Sequence, residues 1–353
     1  MKTLVIETAS IINNLHAIRE KADGAGIIAD LSANAYGIGL IEAATVLHDN
    51  GIDTFAVSDP SDAAALRNAG FRDCHLMMLR STADADELSA LIDMGVICTV
   101  GSNEAAVALN GLAEARRTVV EVQIKLDTGF GRYGFSISEL DKVAAIYRYM
   151  PSLAVVGTFS TYAASWCSPK FTAQQLETFS DALDKLNEMG LETGIAHICD
   201  GAALFKYDLE HMDAVRVGCA LSGRIPGKEI PELERVGHID AGIEEISWFV
   251  KGRRIGGENG VVTKRPTKVA AISVGYYNGF GVDTEIKQRG ILSLFRPKRR
   301  PYVTINGRKA KVIGDVGMLH TLVDVTNINC TVGDIAQMDV DPVNVKGLSI
   351  TYK

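Results

Sequence analysis

The sequence predicts a (β/α)₈ barrel followed by a C-terminal all-β domain, and three observations carry that prediction. Eight strand-length apolar runs alternate with helix-period segments over about the first two hundred residues. Near residues 223–231 the long helical periods stop. Beyond that point, short strand-like runs are separated by Gly, Pro and Asn turns. The division is placed at residue 224, giving a barrel over 1–224 and a β domain over 225–353.

Taken in order, the chain opens with a strand at 4–7, which can pack on the β domain instead of the barrel, and an amphipathic helix capped near Thr8 or Ser10. The barrel strands are expected at 27–31, 54–58, 75–79, 96–100, 119–126, 153–160, 194–198 and 213–217. Helical patterns between them include 41–49, 62–68, 84–94, 136–149 and 172–189, several closed by Gly or Asn. Eight such units in succession imply parallel strands closed on themselves rather than an open sheet. The β domain is expected to use 261–274, 302–305, 310–316, 321–325 and 335–338 as strands.

The chain has 353 residues, 47% hydrophobic and 22% charged, ample for a large core. A net charge of −7, with Lys and Arg scattered except at 251–254 and 296–300, argues against a nucleic-acid partner. Cys74, Cys98, Cys167, Cys199, Cys219 and Cys330 lie far apart and form no CxxC pattern, so reduced thiols and a cytoplasmic location are expected. The longest apolar runs fall well short of the roughly 20 residues that span a bilayer, so no membrane partner is expected.

In such a barrel the site forms beyond the C-terminal ends of the strands. Those positions read Ser32-Ala33-Asn34-Ala35-Tyr36-Gly37, then Lys125-Leu126-Asp127-Thr128-Gly129-Phe130-Gly131-Arg132, then Ser160-Thr161-Tyr162-Ala163. Next come His197-Ile198-Cys199-Asp200-Gly201-Ala202-Ala203 and Arg216-Val217-Gly218-Cys219, while the β domain adds Gly275-Tyr276-Tyr277-Asn278-Gly279. Together with Asn14-Leu15 and 314–324, this series resembles the alanine racemase family, with motifs in register over essentially the whole chain. The resemblance implies a head-to-tail homodimer with pyridoxal phosphate at the barrel mouth and a site completed by the partner's β domain. In the family, the lysine of a Lys-Ala-Asn-Ala-Tyr-Gly motif forms a Schiff base with the cofactor and acts as one of two bases. A tyrosine in a Gly-Tyr-Ala-Asp-Gly motif is the other. Carried over residue by residue, the tyrosine falls at Tyr276 and the lysine position at Ser32.

Ser32 supplies no amine for an imine, and without a strong neighbouring base its hydroxyl stays protonated. The family's supporting histidine falls at Thr161, and its phosphate-binding Asn-Ser pair at Asp200-Gly201, where a carboxylate repels a phosphate. Its Met-Asp pair reads Met318-Leu319. The resemblance keeps Arg132 and Lys125 for the tyrosine and substrate-carboxylate region, and Arg216, with Gly218, for the pyridine nitrogen. Tyr36 and Tyr352 match the phosphate-contacting tyrosines. The expected pocket is therefore Tyr36, Lys125, Arg132, Thr161, Asp200, Gly201, Arg216, Gly218, Met318 and Tyr352, with Tyr276 as catalytic candidate. No covalently held cofactor, and weak or no pyridoxal phosphate, is expected.

Each of these residues also has a plain structural reading. Ser32 can be an inert strand-end residue and Tyr276 a packed core tyrosine. Arg132 and Arg216 can be tied to Asp127, Asp200 or Asp213 in ion pairs, and Lys125 can be a paired buried lysine, which is preferred to its taking over the Schiff base. His197 and Cys199 alternate on one strand with no third ligand at metal spacing, so they are read as core. His320 stands beside Leu319 at the altered pair, facing the pocket, and 298–300 reads as a solvated turn.

The expected function is a racemase homologue that has lost pyridoxal-dependent amino-acid racemisation and keeps a polar pocket for an amino-acid-like small molecule. One alternative is an active isomerase or other enzyme acting on an amino acid or related small molecule by rebuilt chemistry, with or without the cofactor, using Tyr276 with Asp200, Ser32 or His320. The other is a pyridoxal-phosphate-dependent alanine racemase carrying an inactivating change at Ser32. No metal is expected.

Overall fold

Parallel strands buried on both faces lose the polar–apolar alternation of an exposed sheet, and the apolar runs of the N-terminal half do so. In the computed structural model, which describes residues 2–209, 211–227, 229–257, 260–282 and 301–353, these runs are the strands Gly26–Asp30, Thr54–Val57, His75–Ser81, Ile97–Val100, Val120–Asp127, Leu153–Phe159, Ile195–Asp200 and Ala214–Val217. Each pairs in parallel with the next, and the last pairs with the first, so the sheet closes into the expected eight-stranded barrel. Ile28, Ala56, Met77, Ile97, Phe159 and Ala214 form one core cluster.

The outer helices carry the apolar spacing that selects them. Pro169–Glu188 starts with proline in its first turn and buries Thr172, Gln175, Phe179, Ala182, Leu183 and Leu186, a stripe at three- and four-residue steps. Asp84 caps Ala85–Asp93 by accepting the N–H groups of Asp86 and Glu87, and Ser102 caps Asn103–Arg116 through Ala105 N–H. A short helix, Gly201–Lys206, was not foreseen; its six residues are too few to show a period.

One segment of the barrel is strained. After the strand Gly26–Asp30, the residues Ala33, Asn34, Ala35 and Tyr36 all have φ between 53° and 58°. Left-handed backbone costs about 1–2 kcal/mol per non-glycine residue, so this turn holds about 4–8 kcal/mol. It is pinned by Ala35 N–H to Leu31 O at 2.8 Å and by Leu40 N–H to Asn34 Oδ1 at 2.9 Å. Backbone strain of this size concentrates at functional sites.

Residues Ile11–Glu234 form one compact unit, and Met1–Ser10 with Arg235–Lys353 form the other. In the second, the strand Lys2–Ile6 runs antiparallel to His238–Phe249 and parallel to Ser349–Tyr352. The strand His238–Phe249 was not expected; Ile239, Ala241 and Ile243 alternate with Asp240 and Gly242, but the consecutive Glu244 and Glu245 break the alternation where the register shifts. Antiparallel pairing continues through Thr267–Ile272, Thr321–Asp324, Arg308–Val312, Tyr302–Ile305 and Ile335–Asp339 back to His238–Phe249. The run expected at 261–274 is divided into Val261–Val262 and Thr267–Ile272 because Pro266 interrupts the ladder. The turn expected at 298–300 and the basic run 296–300 lie outside the described residues.

His238 ties the termini of this unit together. Its Nδ1 meets the Glu7 carboxylate and its Nε2 lies 3.1 Å from Asp240 Oδ1, while Lys353 Nζ reaches Asp240 Oδ2 at 3.2 Å. The hydrogen bond to Glu7 raises the His238 pKa. Burial acts to raise Glu7, but its hydrogen bonds from His238 and Gly237 N–H hold it below the ordinary carboxylate range.

Candidate active site

The best-anchored group at the barrel mouth is Arg216, on the last strand and almost fully buried. Its guanidinium donates to His197 Nδ1 at 3.1 Å, to Thr161 Oγ1 at 3.0 Å and to Ser160 O at 3.4 Å. A guanidinium only donates, so His197 accepts at Nδ1 and its Nε2–H donates to Gln123 Oε1 at 2.7 Å. Burial and the Arg216 charge hold the His197 pKa well down, so the imidazole is neutral. Every hydrogen-bond partner of Arg216 is thus uncharged, which corrects the ion-pair reading. Asp213 instead accepts Ala196 N–H at 2.7 Å, and Asp127 accepts the N–H groups of Gly129, Phe130 and Gly131.

Ser32 stands at the head of the strained turn. Its N–H and hydroxyl both donate to Asp30 Oδ1, at 3.0 and 2.5 Å, and its Oγ lies 2.6 Å from Ser58 Oγ. Asp30 Oδ2 also accepts the Tyr36 hydroxyl at 3.3 Å. Ser32 therefore keeps its proton and donates it to a carboxylate acceptor. Asp30 was legible as an acid closing an apolar strand, whereas Ser58, just beyond the strand Thr54–Val57, gave no local signal. The Tyr36 ring rests on Gly218 so closely that a Cβ there would lie 2.3 Å from its Cε2.

Asp200 faces two ways. Oδ1 caps the helix Gly201–Lys206 by accepting Ala203 N–H at 2.8 Å, and Oδ2 accepts the Ser165 hydroxyl at 2.6 Å. Gly201 lies against Ala220, leaving no space for a side chain. Tyr162, buried near Cys199 and Asp200, has a hydroxyl with no hydrogen-bond partner among the described residues. Nothing in the local sequence Ser160-Thr161-Tyr162-Ala163 marks an orphaned phenol.

Lys125 is 5% exposed on Val120–Asp127. Its Nζ lies 5.3 Å from the Phe159 ring centre and 5.4 Å from that of Tyr133. No hydrogen bond or ion pair engages it among the described residues, which corrects the paired-lysine reading. Arg132 is exposed and stacks on Phe130 at 4.5 Å. His197 stacks on Phe159 with ring centres 5.0 Å apart, and Cys199 is buried.

The remaining positions fall in the other unit. Tyr276 begins the 3-10 turn Tyr276–Asn278 and is 53% exposed, which excludes the packed-core reading. Its N–H donates to Gly317 O at 2.9 Å, and that of Tyr277 donates to Met318 O at 3.1 Å, so Tyr276 and Met318 are neighbours. His320 is exposed and lies 3.8 Å from Glu244, on the solvent side rather than in a pocket. Tyr352 ends the edge strand Ser349–Tyr352 opposite Ile6.

A family model described as "Alanine racemase, N-terminal domain" matches residues 6–226, and one described as "Alanine racemase, C-terminal domain" matches 236–345. The alanine racemase of Methanococcus maripaludis is 28% identical over 339 residues, 94% of this chain and 86% of that protein. Among solved structures, alanine racemase of Clostridium difficile 630 aligns with a TM-score of 0.85 at 22% identity, covering all of this chain and 95% of that one. That of Bartonella henselae, solved with covalently bound pyridoxal phosphate, aligns with a TM-score of 0.82 at 21% identity, covering 100% and 99%. No described helix is long and apolar enough to cross a membrane.

These findings overturn two expectations drawn from Ser32. Loss of pyridoxal-dependent racemisation is corrected by relatives named alanine racemase along nearly the whole chain, and the alternatives of rebuilt chemistry and of an inactivated racemase fall with it. The expectation of weak or absent pyridoxal phosphate is corrected by the same assignment, to a family whose Bartonella member holds that cofactor. The physical reason is that Ser32 is one side chain of many at the barrel mouth, where Arg216 is held on Thr161 and His197 and the Tyr36 ring packs on Gly218. Matched across both of its structural units, the chain belongs to the alanine racemase family.

Proposed function

We propose that the protein is a pyridoxal-phosphate-dependent racemase of alanine or a similarly small amino acid, acting in the cytoplasm as a head-to-tail homodimer. The observation that carries this reading is the family match through both units, with the family's motif arginine, Arg216, buried at the barrel mouth on neutral partners. The cytoplasmic part rests on six free cysteines.

The non-covalent donor set fits the cofactor. Tyr162 offers a buried hydroxyl without a protein partner, Arg216 offers a cation not neutralised by any hydrogen-bonded carboxylate, and the cradle of Gly218 and Tyr36 is too tight for any added side chain. Tyr36, Gly218 and Arg216 would hold the group, while residue 32 brings no amine to it. Bound there, pyridoxal phosphate supplies an electron-withdrawing ring that acidifies the α-hydrogen of an attached amino acid.

The chain's own groups do the rest. Arg216 cannot give up its proton, so it fixes a positive charge beside His197 and Thr161. Arg132 adds positive charge that attracts an amino-acid carboxylate. Asp30 holds the Ser32 proton and orients the Tyr36 phenol. Tyr276, with its exposed phenol, is the group that moves a proton at the α-carbon.

The test is incubation with pyridoxal phosphate and L-alanine in heavy water, followed by chiral separation and mass analysis. D-alanine carrying deuterium at the α-carbon is the expected result. Neither D-product nor α-exchange with alanine, serine or other small amino acids would sink the proposal. Sedimentation at twice the chain mass is expected for the dimer.

A further inference from the structure

A buried ammonium normally sits against a carboxylate, because removing an unpaired charge from water costs several kcal/mol. Lys125 breaks that pattern beside the ring that also packs on Arg216. It projects from a strand of the closed barrel, 5% exposed, between the rings of Phe159 and Tyr133. The same Phe159 ring has the Arg216 guanidinium 5.4 Å from its centre, so Lys125 and the motif arginine flank one ring. Of the charged groups that act on it, Arg216 and Arg132 are like charges and Asp127 alone is opposite. Asp127 is occupied by the three N–H groups of its own turn.

Other lysines of the barrel unit are placed differently. Lys206 donates to Trp166 O at 3.0 Å and Pro226 O at 2.8 Å, and Lys142 pairs with Glu139 on the surface. Lys21, Lys170 and Lys185 are exposed on outer helices. Ser32 is bound to Asp30 and Ser58 and has no nitrogen side chain.

We propose that Lys125 supplies the amine that attaches the aldehyde cofactor in this chain, doing so from the fifth barrel strand rather than from residue 32. The inference rests on the proposed pyridoxal-dependent reading. In the attachment step the neutral Lys125 amine adds its lone pair to the aldehyde carbon, and a carbon–nitrogen bond forms while one C–O bond pair moves to oxygen. The oxygen then leaves as water with both amine protons, and a carbon–nitrogen double bond remains. Neutrality is available because burial first, then Arg216 and Arg132, bring the Lys125 pKa down to about 8. Roughly a fifth of such an amine is unprotonated at pH 7.4, against about one part in a thousand for a lysine at the ordinary value of about 10.4.

The test uses the full-length protein incubated with pyridoxal phosphate, reduced with borohydride, and examined by intact mass and peptide mapping. Cofactor retention is measured on the same sample by equilibrium dialysis. A single reduced adduct on the peptide carrying Lys125, lost in both Lys125→Ala and Lys125→Met, is expected. Its rate of formation should reach half its plateau near pH 8. An adduct on a different lysine, an adduct persisting in the two variants, or bound cofactor with racemase activity but no adduct would overturn the assignment while leaving the proposed function standing. Wild-type protein that neither retains the cofactor nor racemises alanine would overturn both. The wild-type peptide map decides the matter even if the variants do not fold.

Discussion

Substituting Gly218 by alanine tests how tightly the candidate site is built. Gly218 does not have positive φ, so its backbone accepts a side chain without strain and the cost is steric. A Cβ would lie 2.3 Å from Tyr36 Cε2, 2.5 Å from Cζ and 2.6 Å from the hydroxyl oxygen. Carbon contacts are favourable at about 3.5–4.0 Å, so the ring must retreat by about 1.2 Å or more. That retreat loosens the bond from Tyr36 to Asp30 and pulls on the left-handed turn. Overpacking of this kind costs about 1–3 kcal/mol. At about 2–4 °C per kcal/mol for a unit of this size, Gly218→Ala should lower the barrel's melting temperature by about 2–12 °C. In a Tyr36→Ala background the obstructing ring is gone, and the same substitution should cost less than about 0.5 kcal/mol. Thermal unfolding of the four proteins, followed by circular dichroism, gives the coupling directly. An equal drop in both backgrounds would refute the packing argument.

Three further outcomes follow from the same geometry. His238, raised by Glu7, stabilises fully below its unfolded pKa of about 6.5 and loses that contribution as pH rises through its higher folded value; Glu7, lowered, contributes above about 4.5 and loses it as pH falls. Unfolding of His238→Gln should therefore show a smaller stability loss than wild type between pH 6 and 9, by about 1.5 kcal/mol, and identical pH profiles would contradict the bridge. Asp200→Ala removes a helix cap and the Ser165 acceptor, so urea unfolding should report a loss of about 1–2 kcal/mol, mostly restored in Asp200→Asn. Tyr276→Phe alters an exposed phenol, so stability should stay within about 0.5 kcal/mol while α-hydrogen exchange in alanine falls at least tenfold; unchanged exchange would remove Tyr276 from the reaction.

Much of the molecule was legible in linear order. The eight barrel strands fall within a few residues of their apolar runs because a strand buried on both faces needs apolar side chains throughout, a local requirement. His238–Phe249 is less legible because the consecutive Glu244 and Glu245, both exposed, break its alternation after Ile243. The family motifs were likewise visible because each is contiguous. Ser32 alone does not decide function, because the chemistry depends on groups brought together from several strands.

What the sequence determined by itself is the order of strands and helices, the barrel, and the residue types gathered at its mouth, because burial and helix periodicity are written every two to four residues. Tertiary structure alone decided which groups face one another. It set Arg216 on a neutral histidine held in turn by Gln123, left Lys125 buried without a carboxylate, and brought Ser58 to Ser32 and Ser165 to Asp200. Those relations join residues up to 74 positions apart, as between Gln123 and His197. A hydrogen bond across the barrel depends on strand register and closure, which no local run of side chains encodes.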